Sequence, residues 1–476
     1  MWFLNKTEKK PIYQQIIEQI VTYIQEGQLQ PGERLPSERR LAEAFDVNRS
    51  TVVHALDELA ALGWVLRKRG SGTIVNETKW GRSAAPRVDW RKMLKPDSYQ
   101  KDPYLQALQE KTKEKTVMNL FSGELPLNLI PDFRFPSYTW EELLIEERKQ
   151  TELGYPLLQE VICKRLKSEQ DIQVDSSQIL ITSGAQQALF LLLQVLLENG
   201  DTVAIEDPSF LYSLPIFETA GIKVYGVSSD QAGIRIDELE QLILAKRIKL
   251  IIVNPTFQNP TGQTMSLKRR EELIALSLKY QIPLIEDDVF SELHFKKLPL
   301  SLKAISPRQV IHLGSLSKIF GSSIKIGWIV ADRALIQRLA EAKQRMDFSI
   351  SIFPQVIAHT ALSDKSFEKN RAHLVQTLKE RAEYFENIVD ELGSNWTCHP
   401  IQGGLYGWLT WKGRTLTRKD WRIFLQKNLL VAPSFLFSND TMSMRINYTR
   451  MSFDEMNDFV KRLKEISICL GGESVE

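Results

Sequence analysis

Seven short apolar runs, separated by stretches with helical periodicity, occupy the middle of this chain and leave few folds open to it. Runs that are apolar without strict alternation are typical of strands buried on both faces of a parallel sheet. Helical stretches between them supply the crossovers that parallel neighbours need. We therefore predict an α/β region with a mostly parallel, seven-stranded sheet. Its strands are expected at residues 179–182, 202–205, 223–227, 250–253, 284–285, 310–313 and 324–330.

Polar residues gather directly after several of these runs. In parallel sheets of this kind, ligands bind where the chain leaves the carboxyl ends of the strands. After the first run, residues 182–187 read TSGAQQ and open a helix. The free N–H groups of Ala185 and Gln186, together with the helix dipole, would favour a phosphate group there.

Three later strand ends add an aromatic ring, an amide and a carboxylate. Phe210 follows the second run and could stack on a flat ring. Asn259, within NPTFQNPTG at 254–262, could donate to a phenolic oxygen. Asp287 ends the fifth run, where its carboxylate could hold a protonated ring nitrogen. Each residue alone has an ordinary explanation as a core aromatic, a turn or a cap, but their order along the chain favours one shared site.

The sixth run ends in a turn that presents two hydroxyls and one amine. Residues 310–318 read VIHLGSLSK, so Ser315, Ser317 and Lys318 follow a predicted buried strand. A lysine in this position can form a Schiff base with an aldehyde cofactor while the serines face a phosphate. Far downstream, Arg445 lies in a predicted strand and could bind a ligand carboxylate with both arms of its guanidinium.

Together these motifs resemble the fold type I pyridoxal phosphate enzymes, the aspartate aminotransferase superfamily, over residues 117 to 470. The resemblance implies that Lys318 carries the cofactor, that Asp287 pairs with its pyridine nitrogen and that Asn259 meets its 3-oxygen. It also implies that Phe210 stacks on the ring and that Arg445 holds a ligand carboxylate. The residues that would bind the cofactor phosphate are Ala185, Gln186, Ser315, Ser317 and Lys325. A large subdomain at about 170–340 and a smaller C-terminal α+β subdomain at about 341–470 are expected.

Departures from the pattern of an efficient aminotransferase include two positions in the predicted cofactor site. Three residues after Asp287, that superfamily usually has a tyrosine that donates to the 3-oxygen, and this chain has Phe290. Seven residues after Lys318, an arginine usually clamps the phosphate, and Lys325 offers only a point charge. We expect cofactor binding to survive both changes and turnover to be slow. The string NLFSGELP at 119–126 resembles the segment that closes over the substrate in the superfamily.

The first eighty residues have a different pattern, of three short helices and a basic hairpin. Isoleucines recur at helical spacing from 12 to 24, Ser37 is a suitable N-cap for a second helix, and a third is expected from about 49 to 62. A tight turn at 46–48 separates the last two. Short apolar runs on both sides of RKRGSG at 67–72 predict a hairpin with a basic tip. This order of elements predicts a winged helix-turn-helix that binds DNA.

This segment resembles the GntR family of bacterial regulators over residues 9 to 76. The matching strings are LPSER at 35–39, VNRSTV at 47–52 and GSGT at 70–73. By that resemblance, the third helix enters the major groove. The DNA contacts that it implies are Arg39, Arg49, Ser50, Thr51, Arg69 and Gly70.

Bulk properties fit a multidomain protein of the cytoplasm. The chain has 476 residues, so two or three domains are expected, and its net charge of +2 leaves nucleic-acid binding to a local patch. Three scattered cysteines argue against disulfides and a zinc cluster, so we expect no metal site. No apolar stretch is long enough for a signal peptide or a membrane span. Residues 77–116, with several prolines and basic side chains, are expected to form a partly flexible linker.

A GntR-type reader joined to an aminotransferase-like body is the arrangement of the MocR/GabR subfamily of transcriptional regulators. The resemblance implies a homodimer that binds a double-stranded DNA operator and holds pyridoxal phosphate on Lys318. Its effector would be a small amino compound or the cofactor itself. Two alternatives stay open at this point. One is an active aminotransferase with an accessory DNA-binding module, and the other is a repressor whose body binds no cofactor.

Overall fold

A computed structural model describes residues 4, 10–68, 72–77, 102–114, 116–133, 137–346 and 349–471 of the chain. The chain divides into two compact units, Met1–Lys101 and Asp102–Glu476, and each has its own hydrophobic core. None of the helices in these described ranges combines the length and the apolar content needed to cross a membrane.

The first unit consists of three helices and a two-stranded hairpin. Its helices are Ile12–Gln25, Glu38–Phe45 and Arg49–Ala61, and its strands are β1, Val65–Lys68, and β2, Gly72–Val75. Ile16, Ile20 and Ile24 lie on one face of the first helix because they are spaced four residues apart, and all three are buried in the core of this unit. The two strands pair antiparallel, which confirms the winged helix-turn-helix architecture.

A short turn sets the second and third helices against each other. Ser37 caps the second helix by accepting a hydrogen bond from the backbone N–H of Arg40 at 3.3 Å. Asp46 ends this helix in the left-handed region, at a φ of 51°, a conformation that aspartate tolerates better than most residues do. The third helix begins three residues later, at Arg49, as the sequence predicts.

The second unit begins earlier than the predicted end of the linker at residue 116. The helix Pro103–Lys111 starts at the N-cap Asp102, and both Tyr104 and Leu108 on it are buried. The Tyr104 hydroxyl donates to the carbonyl oxygen of Val431 at 3.0 Å. A short strand, β3, Met118–Asn119, follows and pairs in parallel with residues 429–430. The segment after residue 102 is therefore packed into the second unit.

The large sheet of the second unit has eight strands, one more than the sequence predicts. They are β4, Ile179–Thr182; β5, Thr202–Asp207; β6, Lys223–Asp230; β7, Gly233–Ile234; β8, Leu250–Val253; β9, Leu284–Asp288; β10, Val310–Ser315; and β11, Gly327–Val330. Their order is β4-β11-β10-β9-β8-β5-β6-β7. The strands from β10 to β6 run parallel, whereas β11 and the edge strand β7 are antiparallel to their neighbours. The two residues of β7 are too few to carry a periodic pattern.

Helices cover both faces of this sheet. One face packs against the helix Ala185–Leu196 and the other against the helices Ile236–Lys246 and Leu267–Tyr280. The remaining α-helices of the second unit are Trp140–Arg148, Pro156–Gln170, Ile216–Thr219, Leu302–Ile305, Ser317–Phe320, Arg333–Met346, Ile352–Ser363, Phe367–Asp390, Arg422–Gln426 and Phe453–Gly471. The α/β layering therefore agrees with the sequence prediction.

A smaller antiparallel sheet follows in the C-terminal part. Its region contains β12, Trp396–Cys398; β13, Tyr406–Trp411; β14, Leu429–Leu430; β15, Ala432–Pro433; and β16, Ser443–Asn447. The order in the sheet is β12-β13-β16-β15, while β14 pairs with β3. Because Arg445 lies opposite Trp408 on β13 and Ala432 on β15, these three side chains share one face of the sheet.

Candidate functional site

The turn that was predicted to bind a phosphate is assembled from the ends of three adjacent strands. Across β4, β11 and β10, Thr182 is the partner of Gly327, and Gly327 is the partner of Ser315. The helix Ala185–Leu196 starts directly after its N-cap Gly184, which lies two residues past the end of β4. Its first turn therefore lies beside the end of β10, although the two segments are more than a hundred residues apart in sequence.

The close approach of these strands depends on glycine. A Cβ atom placed on Gly327 would lie 2.6 Å from the carbonyl carbon of Gly184 and 2.8 Å from the backbone nitrogen of Ala185. Gly184 itself has a φ of 88°, which most other residues rarely adopt. The Ser315 and Ser317 hydroxyls lie 3.1 Å apart beside this turn. Backbone N–H groups at a helix start and two hydroxyls form a donor set suited to a phosphate.

Lys318 lies in the short helix directly after β10, and its amine is half-buried. Its Nζ donates to the carbonyl oxygen of Gly123 at 2.8 Å and lies 5.2 Å from the centre of the Phe290 ring. Phe290 is buried, so the position where the related enzymes have a tyrosine here presents an aromatic ring without a hydroxyl to the lysine. No carboxylate pairs with this amine among the contacts of the described residues.

Asp287 stands at the end of β9, next to β10 in the sheet. The residue is buried, and its Oδ1 has no hydrogen-bond partner among the described residues. Burial, and secondarily the charge of Asp288, raise the pKa of Asp287 to about 7, although Lys318 and His312 act in the opposite direction. A cationic nitrogen placed beside this carboxylate would satisfy it, because no described residue donates to Oδ1.

The opposite side of β9 carries a separate buried charge network. Glu286 accepts hydrogen bonds from the backbone N–H groups of Leu302 and Lys303, at 2.8 and 3.0 Å, and lies 3.3 Å from His312 Nδ1. Arg270 approaches the same carboxylate to 3.6 Å. Burial by itself raises the pKa of Glu286, but His312 and Arg270 outweigh it and the net shift is downward. The network holds β9 through the face that carries Glu286. Asp287, the next residue, points to the other face and therefore toward the site.

Asn254 joins the loops that follow β8 and β9. Its Nδ2 donates to the carbonyl oxygen of Asp287 at 2.6 Å, and its Oδ1 accepts from the backbone N–H of Asn259 at 2.7 Å. The carbonyl oxygen of Asn259 in turn accepts from the backbone N–H of Phe210 at 3.0 Å. Phe210, Asn259 and Asp287, which were predicted from three separate strand ends, are therefore connected by this chain of hydrogen bonds.

Arg445 reaches the site from β16 in the smaller sheet. Its Nη1 donates to Asn259 Oδ1 at 2.7 Å and its Nη2 to the carbonyl oxygen of Phe121 at 2.8 Å. The guanidinium carbon lies 4.5 Å from the centre of the Tyr406 ring and 5.1 Å from that of Phe437. Burial lowers the pKa of Arg445 from its usual value. A buried cation with exchangeable partners is suited to a carboxylate ligand.

Lys325 is the predicted site residue that the structure does not connect to the others. It has a left-handed backbone, with a φ of 47°, and an exposed side chain. No hydrogen bond joins it to Ser315 or Ser317 within the described ranges. The backbone amides of Ala185 and Gln186 and the two serine hydroxyls therefore form the candidate phosphate site without it.

Three residues of this site were not predicted from the sequence. Tyr406 donates through its hydroxyl to the carbonyl oxygen of Gly123 at 3.1 Å, and Asn447 Nδ2 donates to the carbonyl oxygens of Ser122 and Glu124 at 2.8 and 2.9 Å. Asn254 is the third. Asn447 lies two residues after Arg445, so the alternation of a strand could have placed it on the same face. No signal in the sequence relates Tyr406 to Gly123.

The residues of this site fit pyridoxal phosphate. An amine at Lys318, an unpaired buried carboxylate at Asp287 and the donor set at the start of the helix Ala185–Leu196 match its aldehyde, pyridine nitrogen and phosphate. The fit rests on the orphaned Oδ1 of Asp287 and on the glycine-dependent approach at Gly327.

The first unit has a candidate DNA-binding surface at the start of its third helix. Arg49 and Ser50 are exposed there, while Thr51 is half-buried. Arg39, on the second helix, is exposed as well and its Nε lies 3.3 Å from Glu43 Oε1. These residues surround the helix end that winged helix-turn-helix proteins insert into the major groove. Arg69 and Gly70, which were predicted as further contacts, lie outside the described residues.

Glu38 holds two of the arginines on this surface. Its Oε2 accepts from Arg49 Nη2 at 2.8 Å and from Arg49 Nε at 3.1 Å. Its Oε1 accepts from Arg67 on β1, and Arg67 also pairs with Asp57 on the third helix. The start of the third helix and the hairpin are thus connected through one carboxylate. The sequence prediction did not give Glu38 this role.

Comparison with protein families gives two matches on this chain. The model for "Aminotransferase class I and II" matches residues 118–463, and the model for "Bacterial regulatory proteins, gntR family" matches residues 12–75. These ranges lie within the second and the first compact unit, respectively.

Several curated relatives match over nearly their whole length. The chain is 31% identical to the "uncharacterized HTH-type transcriptional regulator YisV" of Bacillus subtilis, over 98% of this chain and 97% of the relative. It is 32% identical to the regulator YdfD of the same organism, over 98% of each chain. The HTH-type transcriptional regulator NorG of Staphylococcus aureus is 28% identical, over 87% of this chain and 95% of the relative.

Solved structures of aminotransferases match most of the chain. An archaeal alanine:glyoxylate aminotransferase superposes with a TM-score of 0.70 at 28% identity and covers 80% of this chain and 99% of its own. A kynurenine aminotransferase from Pyrococcus horikoshii, solved in complex with PMP, gives a TM-score of 0.70 at 26% identity, over 80% of this chain and 98% of its own.

Proposed function

This chain belongs to the class I and II aminotransferase family and carries a gntR-family DNA-binding domain, and on that premise we propose that it is a transcriptional regulator that senses an amino compound through pyridoxal phosphate held on Lys318. The combination of domains is that of the MocR/GabR regulators. The domain limits we propose are about 10–76 for the DNA-binding domain and 102–471 for the aminotransferase-like body, which begins with the packed helix Pro103–Lys111.

One observation carries the proposal. The site around Lys318 combines an amine, a buried carboxylate without a donor and a donor set for a phosphate, but its lysine faces Phe290 where an efficient enzyme has a hydroxyl. The site is therefore suited to binding the cofactor but not to fast turnover. A protein that binds the cofactor and reacts slowly keeps its ligand bound for longer. The bound ligand then has time to influence DNA binding by the first unit.

The protein residues have distinct tasks in this site. The bound cofactor supplies an aldehyde carbon that exchanges between amines. Ala185, Gln186, Ser315 and Ser317 would bind the phosphate, and Asp287 would hold a proton on the pyridine nitrogen. Arg445 orients a ligand carboxylate between the rings of Tyr406 and Phe437, which exclude water from the pair. The effector is therefore a primary amine, and one with a carboxylate binds best.

We propose further that the protein acts in the cytoplasm as a homodimer on a double-stranded operator with two half-sites. A dimer presents two recognition helices, and a pair of half-sites one helical turn apart would match them. Effector binding regulates transcription only if it changes the affinity for DNA, by a coupling of about 5- to 150-fold in typical cases.

The test measures the cofactor spectrum and DNA affinity in the same samples. Protein loaded with pyridoxal phosphate is titrated with a panel of amino acids and primary amines, and its affinity is measured for a duplex that the protein selects from a randomised pool. We expect a compound that shifts the visible spectrum to change DNA affinity. The alternative, an active aminotransferase with an accessory DNA-binding domain, predicts turnover at about 1 per second or faster and a DNA affinity that no compound changes.

Replacement of Arg49 by alanine should remove sequence discrimination. We expect Arg49→Ala to weaken binding to the selected duplex by about 10- to 100-fold and binding to a scrambled duplex much less, because a bidentate arginine contact reads a base edge. Arg39→Ala, which would lose a phosphate contact, should weaken both duplexes alike and reduce the salt dependence. Fluorescence anisotropy at two salt concentrations distinguishes the two.

Arg338→Ala is the matched control for this prediction, since Arg338 is an exposed arginine in the second unit that pairs with Glu341 at 3.2 Å. It should leave both affinities unchanged. Equal losses on the selected and the scrambled duplex in Arg49→Ala would contradict the placement of the recognition helix.

A further inference from the structure

Four consecutive carbonyl groups are held by side chains that converge on them from three elements. The segment Phe121–Glu124 lies directly after β3 and crosses the site in front of Lys318. Its carbonyl oxygens accept from Arg445, Asn447, Tyr406 and Lys318. The distances are 2.8 Å from Arg445 Nη2 to Phe121, 2.8 and 2.9 Å from Asn447 Nδ2 to Ser122 and Glu124, 3.1 Å from the Tyr406 hydroxyl to Gly123, and 2.8 Å from Lys318 Nζ to Gly123.

These donors fall into two chemical classes. Lys318 and Arg445 are cations, and under the proposed function a ligand engages both. The amine of Lys318 would form the bond to the cofactor, and Arg445 would bind the carboxylate of the ligand. Tyr406 and Asn447 are neutral, fully buried donors. A neutral hydroxyl and a neutral amide do not compete for an anionic ligand as strongly as a guanidinium does.

We infer that Tyr406 and Asn447 are positioning residues, which keep the segment Phe121–Glu124 over the site after the ligand has engaged Lys318 and Arg445. The carbonyl oxygen of Gly123 shows this arrangement most clearly, because it has two lone pairs and takes one donor of each class. When Lys318 is committed to the cofactor, Tyr406 remains as the donor to this oxygen. Either donor alone satisfies the oxygen, and the loss of both leaves this half-buried oxygen without a protein donor.

The surroundings of Tyr406 fix its hydroxyl in this position. Its ring packs edge-on against Phe290, with the ring centres 5.5 Å apart, and carries the Arg445 guanidinium on its face at 4.5 Å. Gly123 has no room for a side chain, since a Cβ atom there would lie 2.9 Å from the Tyr406 oxygen. Asn447 is held in turn by the Thr449 hydroxyl, which donates to its Oδ1 at 2.7 Å.

The segment also leads toward the DNA-binding domain along the chain. The backbone N–H of Leu120 donates to the carbonyl oxygen of Leu430 at 2.9 Å, and β3 is preceded by the helix Pro103–Lys111. Residues 102–124 are thus the first part of the sensor body that follows the connection to the DNA-binding domain. The inference rests on the proposed function only for the step in which Lys318 is engaged.

Hydrogen–deuterium exchange of the full-length protein tests the inference, with the peptide that covers residues 117–126 as the readout. In the absence of cofactor, the wild type, Tyr406→Phe and Lys318→Ala should exchange alike in this peptide, because one donor to Gly123 remains in each. The double variant Lys318→Ala/Tyr406→Phe should exchange about tenfold faster, as expected from the loss of one net hydrogen bond. Tyr406→Phe loaded with pyridoxal phosphate should match the double variant.

Tyr448→Phe is the matched control, because the Tyr448 hydroxyl also donates to a backbone carbonyl, that of Gly404, at 2.9 Å. It should leave the peptide unchanged with and without cofactor. A second variant, Asn447→Asp, places a carboxylate against two carbonyl oxygens and should accelerate exchange in the peptide even with Lys318 and Tyr406 intact.

The outcomes separate this inference from the proposed function. If the double variant exchanges no faster than the single variants, Gly123 is not held by two interchangeable donors and the inference fails, whatever the cofactor does. If the wild type gains no visible absorbance with pyridoxal phosphate, the proposed function fails, while a faster double variant still supports the paired donors.

Discussion

Lys318→Ala is expected to abolish the visible absorbance that the wild type gains on incubation with pyridoxal phosphate. The amine of Lys318 is the group that bonds covalently to the cofactor aldehyde in the proposed site, and alanine removes the nucleophile while the phosphate-binding turn and Asp287 stay in place. The loss should be complete in the spectrum. Non-covalent binding of the cofactor should persist with an affinity lower by about 100-fold, which corresponds to about 3 kcal/mol.

Borohydride reduction followed by peptide mass spectrometry is the direct measurement. In the wild type, the reduced adduct should map to the peptide that contains Lys318. Lys325→Ala is the matched control, since Lys325 lies seven residues away with an exposed side chain, and this variant should keep both the absorbance and the adduct. An adduct that maps to any other lysine would overturn the assignment of the cofactor to Lys318.

Asp287→Asn should have opposite effects on the free and the cofactor-loaded protein. The buried carboxyl of Asp287 has its pKa raised to about 7 in the free protein, well above its value in an unfolded chain. Between about pH 4 and pH 7 the folded state therefore binds a proton that the unfolded state has released, so the free energy of unfolding falls as the pH rises. Asparagine has no such titration, and Asp287→Asn should raise the free energy of unfolding of the free protein at pH 8 by about 2–4 kcal/mol.

The loaded protein should respond in the other direction. The carboxylate of Asp287 then faces a protonated ring nitrogen, and asparagine gives up this charge pair. We expect the affinity for pyridoxal phosphate to fall by about 100-fold, or about 3 kcal/mol. Urea unfolding at pH 5 and pH 8, with and without cofactor, measures both effects. The stabilisation of the free variant should be present at pH 8 and should diminish toward pH 4.

Asp288→Asn controls for general burial. Asp288 is the next residue on β9, so its side chain lies on the opposite side of the strand, and burial raises the pKa of Asp288 as well. Its replacement should stabilise the free protein, again more at high pH than at low pH, but leave cofactor affinity unchanged. Equal losses of cofactor affinity in the two variants would contradict the pairing of Asp287 with the ring nitrogen.

Much of the large sheet and its ligand-binding edge could be predicted from the sequence because both follow from local patterns. Each buried strand reads as a continuous apolar run, and in a parallel sheet the residues that follow such runs meet at one edge. This reasoning needs no knowledge of which strands are neighbours. It is sufficient to place Asp287, Asn259 and Lys318 at this edge, and local helix signals place Arg49 at a helix start in the same way.

The contributions from the smaller sheet could not be predicted in the same way. Tyr406 reads as a core aromatic in an apolar strand, and its hydroxyl meets Gly123 only because β13 and the segment after β3 pack together across 283 residues of sequence. The helix Pro103–Lys111 was missed for a different reason. Asp102 followed by proline is an ordinary helix start, and Tyr104 and Leu108 have helical spacing, but the surrounding prolines and charges made the region read as a linker.

The pairing of Glu38 with Arg49 and Arg67 has a consequence for how the protein distributes itself on a chromosome. Two arginines on the DNA-facing surface are matched by two carboxylates, Glu38 and Asp57, so this part of the surface has no net charge. Random DNA attracts proteins mainly through unpaired cations and the counterions that they displace. Because these arginines are already paired with carboxylates of the protein, they add little to the affinity for random DNA. We therefore expect fewer copies of the protein to be bound at non-specific sites.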